Sequence, residues 1–89
     1  MTEKTKIEQL IWLLKELDAD RIPPDGQIEK ILLALDDTKV EVVSEALHFS
    51  RHFLADEDIR GKDSEYSKAQ HSQLKDYVRE IHKVLLSQN

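Results

Sequence analysis

Two histidines, His48 and His52, stand four residues apart, and at helical spacing their rings share a face with Glu41 and Glu45. Two imidazoles and a carboxylate in this arrangement are a donor set for zinc or nickel. His48, His52 and Glu45 are therefore the candidate metal ligands. Phe49, Ser50 and Arg51 lie between the histidines, where a zinc-protease helix carries a glutamate after its first histidine. A third imidazole would have to come from His71 or His82 on another helix, or from a second copy of the chain. The simpler reading is a solvated polar face, so no metal and no other cofactor is expected.

Other chemistry is sparse. Cysteine is absent, which removes disulfides, thiolate metal sites and a thiol nucleophile and fits a reducing compartment. Carboxylates are numerous, but none sits in an apolar stretch that would raise its pKa, and no serine has the setting of a nucleophile elbow. With two glycines in the chain there is no phosphate-cradling loop. No enzyme and no small-molecule substrate are expected. Lys68, Lys75, Arg79 and Lys83 line one face of a predicted helix, but the chain lacks interleaved aromatics or a recognition-helix motif, so nucleic acid is not the expected partner. That row reads as a solvated face, or as a surface facing acids such as Asp56, Glu57 and Asp58 of a second copy.

Four apolar residues fall outside the narrowest core stripes. Trp12 projects among Glu8 and Lys15, Leu33 leaves its helix's apolar face, and Val42 and Phe49 widen the apolar arc of theirs. Contiguous, they would make a patch that monomers seldom leave bare, with aromatic anchors typical of interfaces. Trp12, Leu33, Val42 and Phe49 are the candidate interface.

These residues are carried by four predicted helices. The first starts at the capping box Thr5/Glu8 and repeats Ile7, Leu10, Ile11, Leu14 and Leu17 at the spacing of one face, stopping before the prolines at 23 and 24. The second, about residues 27–35, has Ile28, Ile31, Leu32 and Leu35 on one face and is too short to be helical without packing. After the polar joint at residues 36–39, a box of Thr38 and Glu41 opens the third, which ends near Ala55. Its apolar residues cover about half its circumference, wider than a surface helix requires, so it is expected to be either central in the bundle or shared between the bundle and a partner. Residues 56–66 read as a polar linker, and Ser67 with Gln70 opens the fourth, carrying Leu74, Tyr77, Val78, Ile81, Val84 and Leu85. The expected architecture is all-α: a small bundle of four helices, as two helical hairpins, with the third helix central.

Within the joint and its flanks, Leu32, Leu35, Asp37, Val42 and Ala46 resemble the pattern of a HEAT-type helical hairpin. The likeness spans about twenty residues of a permissive motif. Val43 stands where that family usually has arginine, and no second copy is present, whereas such repeats are stable as stacks.

Eighty-nine residues suit one domain, 1–89, and 35% charged residues with few glycines and prolines suit helices. The net charge of −5 is uneven: residues 1–58 hold fourteen acids against seven bases, and residues 59–89 hold six bases against four acids. An acidic chain repels nucleic acid and acidic membranes. No apolar run approaches the ~18 residues of a membrane span, and the start lacks a signal-peptide core, so the cytoplasm is the expected location. The expected function is a non-enzymatic protein-interaction or regulatory module that self-associates, as a homodimer, through its first and third helices. The alternatives are a small acidic immunity- or antitoxin-type inhibitor and a metal-responsive domain using His48 and His52.

Overall fold

The computed structural model describes residues 2–87, which form five helices: α1 (Glu3–Asp18), α2 (Asp25–Ala34), α3 (Glu41–Ala55), α4 (Glu57–Lys62) and α5 (Ser64–Ser87). The protein is all-helical as the composition implies, but the expected four-helix count is corrected to five. The extra element, α4, lies inside the stretch read as a linker. Acids at 56–58 do oppose the negative end of α3, yet Glu57 and Asp58 fall in the first turn of α4, with Arg60 and Lys62 in its last. Both charge placements suit the helix dipole.

The centre is corrected as well. α5 packs against α1, α3 and α4, while α2 packs chiefly on α1. The 24-residue α5 is thus the shared helix, and α3 lies on one side of it rather than in the middle. α1, held between α2 and α5, buries Ile7, Leu10, Ile11, Leu13, Leu14 and Leu17. A helix covered on two sides needs a wider apolar arc than one covered on a single side, which is why Leu13 is fully buried alongside the narrower stripe. α3 buries Val43, Ala46, Leu47, Ser50 and Phe53, and α5 buries Gln70, Leu74, Ile81 and Leu85. The Cα radius of gyration is 12.8 Å, close to the ~12 Å of a compact chain of this length.

The helix ends differ from the predicted capping boxes. Thr2, not Thr5, caps α1: its hydroxyl accepts from the Thr5 amide at 3.2 Å. Thr38 accepts from the Val40 amide at 3.2 Å in the joint, leaving α3 without a side-chain cap. Asp63 accepts from the Tyr66 amide at 3.1 Å, so α5 opens at Ser64 rather than Ser67. At the other end of α1 the amides of Asp20 and Arg21 donate to the carbonyls of Leu17 and Glu16 (3.0 and 2.9 Å). This is a Schellman closure with Asp20 in the left-handed region at φ 59°, and it ends the helix before the prolines do.

Candidate functional site

The polar flank of α3 and the facing side of α5 enclose an open groove of about 550 Å³. α3 contributes Glu45, His48, Phe49 and His52 from successive turns of one face, and the residue closing that helix, Asp56, completes the wall. Opposite them α5 brings Tyr66, Gln70 and Tyr77. The Phe49 and Tyr77 rings lie 5.4 Å apart, and the His48 and His52 rings 5.0 Å apart in an edge contact. Burial, followed by the negative charge of Glu45, raises the Tyr77 hydroxyl above its ordinary pKa of 10.0.

At the C-terminal end of α3 Asp56 holds a hydrogen-bonded cluster. The Tyr66 hydroxyl donates to its carboxylate at 2.6 Å and the Gln70 amide at 3.0 Å. The bond from Tyr66 is the main reason the Asp56 carboxyl is held below 3.8, against partial burial; the same bond raises Tyr66 above 10.0. Arg60 of α4 donates to the Phe53 carbonyl and, at 2.9 Å, to the Gln70 side-chain oxygen. Its guanidinium carbon lies 3.5 Å from the centre of the Phe53 ring. Gln70, 4% exposed, thus has its amide nitrogen and oxygen both satisfied. The linker reading missed this cluster; its only sequence signals were an aspartate beside a helix end and a tyrosine and glutamine four apart.

The candidate metal ligands His48, His52 and Glu45 do share the groove wall. Among the described residues, however, no group of three or more His, Cys, Asp or Glu side chains is arranged to hold a metal ion. His71, one possible third ligand, is engaged elsewhere. Its Nδ1 lies 2.9 Å from Asp18 and its Nε2 3.4 Å from Asp20, while its ring meets Phe53 edge-on at 5.5 Å. Lys75, from the basic row of α5, joins Asp18 at 3.4 Å. Part of that row therefore ties α5 to the C-terminal end of α1. His82, the other possible third ligand, lies in a separate groove.

The four candidate interface residues share no groove: Phe49 lines the one between α3 and α5, and Trp12 lines two others. Phe49 and Val42 are half-buried against the core, Phe49 between Phe53 and Tyr77. Leu33, 59% exposed, stands on α2. Trp12, 41% exposed, lies in a groove of about 430 Å³ between α1 and α5 with Ile11, Leu85, Leu86 and His82. Leu86 is 73% exposed, and Glu8, Lys4 and Lys15 rim the groove. The reverse side of Trp12 borders a second depression lined by Gln27, Lys30 and Ile31 of α2. Leu86 leaves the apolar stripe of α5 in the sequence, but only the packing of α5 on α1 brings it beside Trp12.

No family model, no curated protein and no solved structure matches the chain. No described helix is long and apolar enough to cross a membrane.

Proposed function

We propose that this chain is a non-enzymatic protein-interaction module of the cytoplasm that pairs with a second copy of itself through the α1/α5 face centred on Trp12. The observation carrying this reading is the adjacency of Trp12 and Leu86, both exposed, in one apolar groove with charges confined to its rim. An aromatic anchor in an apolar centre with a polar rim is the usual anatomy of a protein interface. The rim supports a second copy in particular. Glu8 and Lys15 flank Trp12 at nearly equal distances along α1. Laid antiparallel on itself about an axis near Trp12, the helix brings Glu8 against the copy's Lys15, and the two-fold repeats the pair. Val42 and Phe49 stand on α3, half-buried against the core, and are not part of this surface.

Sedimentation velocity over a wide concentration range tests it. The parent is expected to move from one 10.4 kDa chain toward twice that mass, and Trp12→Ala to remain monomeric while retaining its helical circular dichroism. Glu8→Lys and Lys15→Glu should each weaken pairing, and the double variant should recover part of the loss. A parent that stays monomeric throughout, or a Trp12→Ala variant that dimerises as the parent does, refutes the proposal.

A further inference from the structure

The α3/α5 groove concentrates features that its place in the fold does not require. Phe49, Tyr66 and Tyr77 line it, three of the five Phe, Trp and Tyr residues in the chain, together with the rings of His48 and His52. Two carboxylates line it, Glu45 and Asp56, and not one of the chain's thirteen lysines and arginines does. The nearby guanidinium of Arg60 is committed to the Phe53 ring and carbonyl and to Gln70. Some carboxylates elsewhere on this molecule have cations beside them, as Glu16 has Arg21 and Glu29 has Arg51. Among the described residues Glu45 has no ion pair within 4.0 Å, though its charge is felt by the Tyr77 hydroxyl within the same groove.

Aromatic faces and carboxylates attract organic cations, by the ring quadrupole and by charge together; of the two carboxylates here Glu45 is without an ion pair, while Asp56 feels the charge of Arg60 and already accepts from Tyr66 and Gln70. The spacing narrows the class. Glu45 and Asp56 are eleven residues apart along α3, about three turns on one face and ~16 Å along the axis. A compact ammonium ion reaches one of them; a chain with amines at both ends and methylenes between reaches both, with its carbons over Phe49 and Tyr77. We propose that this groove binds a linear aliphatic polyamine, one terminal ammonium at Glu45, the other near Asp56, and the methylene chain across the Phe49 and Tyr77 rings. This site is separate from the Trp12 face and does not depend on the pairing proposed there.

The probe is spermine, titrated into the ¹⁵N-labelled full chain and followed by amide chemical shifts. Saturable shifts are expected to concentrate at residues 45–56 and 66–77, with dissociation at least about tenfold tighter than for butylamine. Glu45→Gln should weaken spermine several-fold, and Glu65→Gln, an exposed carboxylate outside the groove, should leave it unchanged. Tyr77→Leu should weaken it while preserving the dispersion of core resonances. Equal weakening by Glu45→Gln and Glu65→Gln, non-saturating shifts across all acidic surfaces, or equal affinity for butylamine and spermine would each overturn the proposal in favour of diffuse attraction to an acidic chain.

Discussion

Removing the Arg60 side chain should destabilise this protein more than removing any of the arginines that make surface ion pairs. Three interactions leave with it. One is a charged hydrogen bond to the Phe53 carbonyl in the last turn of α3, which also accepts from the capping Asp56 amide at 3.3 Å. Another is the bond that satisfies the buried oxygen of Gln70 at 2.9 Å. The third is the guanidinium cover on the Phe53 ring at 3.5 Å. A hydrogen bond from a charged donor contributes about 1.5–3 kcal/mol when well sheltered, and an exposed cation–π contact about 0.5–1 kcal/mol. Because Arg60 is only half-buried and its contacts are coupled, Arg60→Ala should cost roughly 2–3 kcal/mol rather than their sum. For a domain of this size that lowers the melting temperature by about 10–20 °C. Arg51→Ala is the internal comparison: its 2.9 Å pair with Glu29 has side chains 45% and 52% exposed, so its loss should cost about 0–1 kcal/mol. Urea denaturation followed at 222 nm measures both. If the two variants fall within about 0.5 kcal/mol of each other, the Arg60 cluster does not hold α3, α4 and α5 together, and the reasoning fails.

Asp56 predicts an acid response. Its folded-state pKa lies below 3.8, so the unfolded chain takes up the proton first and the associated stability, complete above that value, is lost as pH falls through the lower one. Tyr66→Phe removes the main cause, and its urea midpoint should fall less steeply than the parent's below about pH 4; superimposable acid limbs refute this. Tyr77 works at the opposite end: its raised pKa means that stability, intact below 10.0, declines as pH rises through the folded value, and Tyr77→Phe should flatten that alkaline limb in the same assay. Asp20→Gly should stabilise by about 0.5–1 kcal/mol, since φ of 59° suits glycine better than aspartate. A lower urea midpoint in that variant would show that the 3.4 Å contact with His71 matters more. Leu13→Ala should cost about 2–5 kcal/mol and Leu33→Ala less than about 0.5 kcal/mol, because the first is fully buried and the second 59% exposed; similar thermal melts of the two would contradict the assigned packing of α1.

Much of the helical framework is readable from apolar spacing alone. Ile7, Leu10, Ile11, Leu14 and Leu17 form a periodic stripe and all are buried, as are Ile28, Ile31, Leu32 and Leu35 after the first loop. α4 leaves no such trace, since its six residues bury nothing and are held by neighbours. The width of an apolar arc also misled about centrality: α3 has the wide arc, but α5 is long enough to run past α1, α3 and α4 with a narrow one. The site divides in the same way. Helical spacing puts Glu45, His48 and His52 on one wall, and projection puts Trp12 among charges. What faces each wall depends on tertiary pairing, which brings Tyr77 to Phe49 and Leu86 to Trp12.

The packing of α1 on α5 has a kinetic meaning. Leu10 and Leu14 are fully buried, yet a principal neighbour of their helix is α5, separated from α1 by residues 19–63. During synthesis α1 cannot make its contacts with α5 until α5 has emerged, and until then the short α2 is the neighbour available to its apolar face. The closing event joins distant parts of the chain, so its loop-closure entropy falls within the folding barrier. Mutations at the α1/α5 seam should accordingly slow refolding, whereas those in α4, which joins α3 to α5 over a short stretch of chain, should mainly hasten unfolding.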